Sequence, residues 1–153
     1  MQLDPTDKRL LSFLQKDSKQ THKELSNKLN LSVTAVYERI KKLERAGVIN
    51  TYVALIDKEQ VERGSVVFCH IKLLQHSQDY LQEFEKAITQ LEEVMECYHV
   101  SGEYDYLIKV LVKDMKHFRS FMVTKLTSLR HIGSTQSSFS INEVKHTTAI
   151  TLN

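Results

Sequence analysis

From Leu31 to Ile49 the chain reads LSVTAVYERIKKLERAGVI, and its apolar positions Val36, Ile40 and Leu43 recur at i, i+4 and i+7. That spacing predicts a helix with one stripe to bury, leaving Tyr37, Glu38, Arg39, Lys41, Lys42 and Arg45 on the other faces. Ser32 is a good N-cap, Gly47 can take the left-handed conformation that closes a helix, and Val48 can fold back on the last turn. Upstream, Thr21-His22-Lys23-Glu24-Leu25 reads as a capping box followed by a short helix with Leu25 and Leu29 on one side. Asn30 is tolerated in the left-handed conformation that ends it, so only Asn30, Leu31 and Ser32 separate the two helices. This is the tight connection of a helix-turn-helix. A third helix precedes both: Asp4 can cap it, Pro5 suits its first turn, Asp7 favours its positive end, and Leu10, Phe13 and Leu14 give it an apolar side.

The period changes in the second half. SVVFCHIKLL, from Ser65 to Leu74, alternates Val67, Cys69, Ile71 and Leu73 against Val66, Phe68, His70 and Lys72, which predicts a strand. A helix follows, with Leu81, Phe84, Ile88 and Leu91 at helical intervals; then a strand in VMECYHVS, a turn at Gly102, and a strand in YDYLIKVLVKD. A second amphipathic helix carries Phe118, Met122, Leu126 and Leu129, and a last strand is expected in SSFSINEVK. The order βαββαβ predicts an α+β chain: an N-terminal helix-turn-helix, winged-helix-like, followed by a ferredoxin-like βαββαβ sandwich with both helices on one face of an antiparallel sheet. The other face, with Val66, Phe68, Leu107 and Leu111, has nothing in the chain to cover it, and a second copy is the simplest cover. Between the halves a linking strand is expected over Tyr52 to Ile56, giving domains at 1–50 and 65–153 with a linker strand and hinge at 51–64.

Charge sharpens this division. The 153 residues are 41% apolar, ordinary for a globular protein, and the net charge is only +2. Residues 1–50, however, hold ten Lys and Arg against six Asp and Glu, while residues 51–153 hold eleven against thirteen. Because DNA affinity rests largely on neutralising phosphates, a basic helix-turn-helix joined to a slightly acidic second domain suits a DNA reader with a separate second task. No apolar run has membrane length and the chain opens QLDPTDKR after Met1 without a leader pattern, so a cytoplasmic protein without a membrane partner is expected. Cys69 and Cys97 fall in predicted strands and read as reduced core thiols. The seven histidines form no HxxxH pair, and neither a metal site nor a cofactor is expected.

The second helix of a helix-turn-helix enters the major groove with its N-terminal part, so Ser32, Val33, Thr34, Tyr37, Glu38 and Lys41 are candidates for the DNA-reading edge, with Val33 and Thr34 against thymine methyls. Lys42 and Arg45, further along, suit phosphates, and His22 and Lys23 can meet the backbone beside main-chain amides. Arg39 has two readings, a DNA contact or a structural pair with an acid such as Glu24. A cationic face can also simply be solvated.

The strings LDPTDKRLLSFLQKD, LSVTAVYERIKKLERAGVI, TYVALID and GEYDYLIKV together resemble the Lrp/AsnC (feast/famine) transcriptional regulators, over nearly the whole chain and in the same order. The resemblance implies a winged or plain helix-turn-helix for double-stranded DNA and a C-terminal effector-binding and oligomerising domain. It also implies homodimers that assemble further, to an oligomer such as an octamer, and a small-molecule effector that is commonly an amino acid. The chain departs from the family in having Ser137 after Thr135 where members often carry a threonine, and Thr151 in place of a usual proline.

VSGEYDYLI, from Val100 to Ile108, places Gly102, Glu103, Tyr104, Asp105 and Tyr106 on a connection between strands. On its residues alone this is either a polar hairpin turn or a ligand site. The resemblance implies the site, with Gly102 offering backbone donors to a carboxylate, Asp105 holding an α-amino group, and Thr135 and Ser137 completing it from a neighbouring chain. No His, Ser or Cys is placed as a nucleophile beside the carboxylates, so an enzyme is not expected. The sequence therefore points to a sequence-specific DNA-binding regulator responsive to a small molecule. The alternative is an architectural DNA-compacting protein that needs no ligand, and an amino-acid-binding enzyme subunit is disfavoured by the charge split.

Overall fold

Asp4 Oδ1 accepts the Asp7 amide at 2.7 Å while Asp7 Oδ2 accepts the Asp4 amide at 3.3 Å. This capping box opens α1 (Pro5–Lys16) in the computed structural model, which describes residues 2–152. A second box, in which Thr21 Oγ1 accepts the Glu24 amide and Glu24 accepts the Thr21 amide, opens α2 (His22–Leu29). The Thr21 amide, and then the Thr21 hydroxyl, which also donates to Glu24 Oε2 at 2.9 Å, hold the Glu24 carboxyl below the ordinary glutamate range. Asn30, at φ 55°, ends α2 in the left-handed conformation, and the Ser32 hydroxyl accepts the Ala35 amide at 3.1 Å to start α3 (Val33–Arg45). Gly47, at φ +68°, closes α3: its amide donates to Glu44 O and the Val48 amide to Leu43 O, the paired bonds of a Schellman ending. The stripes of the three helices meet in one core of Leu10, Leu11, Leu25, Leu29, Val36, Ile40 and Leu43.

The chain divides into two units, and the division differs from the sequence expectation. The first runs to Leu55 and also contains the segment from Val144; the second is Ile56–Glu143. The C-terminal segment joins the first unit because Gln15 of α1 brackets Ile150: the Ile150 amide donates to Gln15 Oε1 at 2.7 Å and Gln15 Nε2 donates to Ile150 O at 3.0 Å. Leu152 packs on the helical core. The strand expected over Tyr52–Ile56 is not formed, because this extended segment has no neighbouring strand to pair with; Leu55 is 69% exposed. No strand lies between α3 and Ser65.

The second unit is a four-stranded antiparallel sheet in the order β2-β3-β1-β4, built from β1 (Ser65–Leu73), β2 (Val94–His99), β3 (Tyr106–Val112) and β4 (Ile132–Phe139). Helices α4 (Gln78–Ile88) and α5 (Met115–Thr124) supply Phe84, Ile88, Phe118 and Phe121 to a core with Val67, Cys69, Ile71, Ile108 and Val110. The last strand starts earlier than SSFSINEVK predicts and ends at Phe139. Its first residues, Gly133 to Gln136, are polar or small and show no alternation, yet they pair with β1, Thr135 opposite Ile71 and Ser137 opposite Cys69. The open face of the sheet carries Val66, Phe68, Leu107 and Leu111, with Lys109 bonded to Glu96 at 3.1 Å among them. Cys69 and Cys97 are free thiols, and burial raises both pKa values, that of Cys97 to about 11. Among the described residues no helix is long and apolar enough to cross a membrane, and no group of His, Cys, Asp or Glu is arranged to hold a metal ion.

Candidate functional site

With Val36, Ile40 and Leu43 turned into the core, α3 leaves Val33, Thr34, Tyr37, Glu38, Lys42 and Arg45 exposed along its opposite side, beginning at the exposed cap Ser32. His22 and Lys23, exposed at the start of α2, stand beside this face: the His22 ring meets the Tyr37 ring edge-on with centroids 5.6 Å apart. Lys41 is half-buried on the same helix, its Nζ 2.8 Å from Glu44 Oε2.

Arg39 takes the structural one of its two roles, with different partners from the one expected. Its Nη1 donates to Asp4 Oδ2 and Asp7 Oδ1, both at 2.6 Å, while Glu24 is occupied by its own capping box. The Arg39 bond, followed by that of the Asp7 amide, holds the Asp4 carboxyl low. The guanidinium thus ties α3 to the start of α1 and is held by two carboxylates.

In the second unit, Ser101, Gly102 and Glu103 form an exposed turn between β2 and β3. Gly102 sits at φ +121°, a conformation L side chains rarely adopt, and a Cβ there would meet nothing within 4 Å. Asp105 does more than the sequence indicates. Its amide donates to Ile71 O at 2.9 Å, its Oδ2 accepts the Leu73 amide at 2.7 Å, and its Oδ1 lies 2.8 Å from His76 Nε2. The side chain is only 15% exposed and staples the turn to the end of β1.

Tyr104 reaches the other way, donating its hydroxyl to Gln136 Oε1 at 2.7 Å with its ring 5.1 Å from that of His70. Tyr106 is not a residue of the turn. It is buried in the core, stacked with His99 and tilted against Phe84, and donates to Glu85 Oε1 at 2.8 Å; burial first, then Glu85, pushes its hydroxyl pKa up. The sequence misassigned it because the first residue of a strand and the last of a turn look alike. Thr135 and Ser137 lie on the helix-covered side with Ile71 and Cys69, and the Ser137 hydroxyl donates to Cys69 Sγ at 3.4 Å. Asp105 and Thr135 flank Ile71 from opposite sides, so within one chain they are not brought together.

Several contributors escaped the sequence reading. Asp4 and Asp7 were legible as a helix start but not as partners of a residue more than thirty positions away. Glu44 was accessible, since i, i+3 pairing with Lys41 is a helical rule, whereas Tyr52, which donates to Glu44 Oε1 at 3.1 Å, carries no spacing signal at all.

Residues 3–50 match the winged helix-turn-helix DNA-binding family and residues 66–150 the Lrp/AsnC ligand binding domain. The chain is 39% identical over 150 residues to the leucine-responsive regulatory protein of Haemophilus influenzae, covering 98% of this chain and 90% of that one. To the leucine-responsive regulatory protein of Escherichia coli it is 35% identical, covering 98% and 92%. Among solved structures, a transcriptional regulator of Neisseria meningitidis in complex with L-methionine superposes with a TM-score of 0.93 at 34% identity, covering 97% of this chain and 96% of that one. An AsnC family transcriptional regulator of Agrobacterium tumefaciens gives the same values. The capped recognition helix and the βαββαβ sheet behind these matches make the chain a member of the Lrp/AsnC family of transcriptional regulators, with a DNA-binding helix-turn-helix and a ligand-binding domain.

Proposed function

We propose that this regulator reads DNA with the exposed face of α3, works as a homodimer that assembles further, and responds to an amino acid bound at the turn around Gly102. The exposed, mainly polar and basic face of a helix capped at both ends carries the first part of this reading: Val33, Thr34, Tyr37 and the one acid, Glu38, address base edges, while His22, Lys23, Ser32, Lys42 and Arg45 address the backbone. It acts by binding rather than by catalysis, in the cytoplasm beside the DNA.

Two features support the dimer. The open sheet face leaves Phe68 exposed and Leu107 and Leu111 partly exposed, and Tyr52–Ile56 is a β-like stretch without a pairing strand. A two-fold axis between copies then calls for a roughly palindromic site with half-sites about one helical turn, or a multiple, apart. The amino-acid effector is supported by the methionine-bound Neisseria relative and by the pairing of backbone donors at Gly102 with the Asp105 carboxylate, which match the two ends of a zwitterion. Because the turn is open to solvent in one chain, a neighbouring chain would complete the site, and ligand binding would then be linked to assembly.

Sedimentation at micromolar concentration, combined with thermal unfolding in the presence of each amino acid, tests both parts. A dimer or larger particle is expected, with a higher unfolding temperature for at least one amino acid. A monomer that no amino acid stabilises would defeat the reading.

A further inference from the structure

Lys41 does not extend freely from α3. Its Nζ lies 2.8 Å from Glu44 Oε2, one turn further on, and 5.8 Å from the centre of the Tyr37 ring. The other oxygen of the same carboxylate accepts the Tyr52 hydroxyl at 3.1 Å. Tyr37 also meets the His22 ring edge-on. The one aromatic side chain of α3 is therefore held by a chain of contacts that begins outside the helix-turn-helix, five residues beyond Gly47, where α3 has already closed.

We propose that Glu44 and Tyr52 are positioning residues for base reading: Tyr52 aims the Glu44 carboxylate, Glu44 holds Lys41 over Tyr37, and the Tyr37 ring so held meets the bases in one orientation. This rests on the reading of α3 as the groove-facing helix. A lysine is a flexible point charge, and a ring beside it gains direction only if the ammonium is itself held. The carboxylate of Glu44 supplies that hold and also cancels the charge of Lys41, so that Lys41 neutralises no phosphate. The direction of the pKa shifts agrees with a closed network: the Glu44 bond raises Lys41, the Lys41 bond lowers Glu44, and burial together with Glu44 raises Tyr52.

The test uses the full chain and three variants, Tyr37→Ala, Glu44→Gln and Tyr52→Phe, each checked for an unchanged far-ultraviolet spectrum. Bound sequences are selected from a random DNA pool, and the affinity for one fixed random duplex is followed against salt. Tyr37→Ala is expected to change preference at particular base positions. Glu44→Gln and Tyr52→Phe should relax the same positions, and Glu44→Gln alone should steepen the salt slope by about 0.9, because Lys41 is released to a phosphate. If Tyr37→Ala acts but the other two leave preference unchanged, or alter different positions, the positioning role is overturned while the groove-facing reading stands. Tighter binding of Glu44→Gln to all DNA without a change of preference also overturns it, showing mere charge masking. A silent Tyr37→Ala overturns the base-reading role of Tyr37 and this inference with it.

Discussion

Arg39 Nη1 lies 2.6 Å from Asp7 Oδ1, and the Asp7 side chain has no exposed surface. The same nitrogen bonds Asp4 Oδ2, so one guanidinium joins the capping box of α1 to the middle of α3. Arg39→Ala strands a buried carboxylate and should cost about 2–3 kcal/mol, the loss of a hydrogen bond to a charged group. Thermal unfolding should show this as a lower midpoint. The salt slope of DNA binding, measured where the variant is still folded, should not change; a slope smaller by about 0.9 would return Arg39 to the phosphate contacts.

Glu93 gives a pH-dependent contribution to the second unit. Its side chain is 8% exposed; Oε1 accepts Lys125 Nζ at 2.6 Å and lies 3.4 Å from His117 Nε2. Burial pushes the carboxyl up, but the bonds from Lys125, its own backbone amide and His117 outweigh it and hold the net pKa below the ordinary glutamate range. A depressed acid stabilises the fold above its ordinary range, and that contribution is lost as pH falls through the depressed value. Lys125→Met removes the main counterweight, so burial then governs and protonation moves to higher pH. Denaturant unfolding followed by circular dichroism should therefore show about 1–3 kcal/mol lost at neutral pH, a deficit that narrows as pH falls and Glu93 becomes protonated in both proteins. A deficit that stays the same from neutral to acid pH would remove Lys125 from this role.

The segment from Val144 completes the first unit through Gln15 and Leu152. Two hydrogen bonds at about 1 kcal/mol each and the partial burial of one leucine give about 2–3 kcal/mol. Deleting residues from Val144 onward should lower the unfolding midpoint of the helix-turn-helix unit and leave the sheet unit unchanged, readable by amide hydrogen exchange on the two units. Equal protection of α1 with and without the segment would contradict this.

What the sequence made legible follows physical locality. The caps at Asp4 and Ser32, the Thr21–Glu24 box and the Schellman ending at Gly47 depend on residues close in sequence and were readable, whereas Asp7 closing a box on Asp4 was not read. Alternation located β1 and β3, where one face is fully buried, but not the start of β4, whose serines and Thr135 carry no apolar signal. The Arg39 pair with Asp7, the staple from Asp105 to Leu73 and the embrace of Ile150 by Gln15 join residues far apart in sequence, and no local rule reaches them. Tyr52–Ile56 shows the reverse failure: its β pattern is real, but a strand needs a partner that one chain does not contain.

At the proposed effector turn, Asp105→Asn keeps an oxygen for the Leu73 amide but loses the charge that faces His76. The fold and basal DNA binding should persist, while stabilisation by the effector, about 2.7 kcal/mol at a hundredfold excess over its dissociation constant, should vanish. Gly102→Val should also abolish the response, with about 1–3 kcal/mol of added strain from a β-branched residue at φ +121°. Calorimetric titration of both variants with the amino acid that stabilises the wild type decides the matter, and wild-type affinity in Asp105→Asn would move the site elsewhere.

The most direct measurement is a competition between a duplex selected from a random pool and a duplex of scrambled sequence, at fixed salt, with and without each amino acid. A sequence-specific regulator should prefer the selected duplex by roughly a thousandfold or more, and at least one amino acid should shift that affinity or the size of the bound particle. Equal affinity for both duplexes, indifferent to every amino acid, would contradict the account and leave a protein that compacts DNA without reading it.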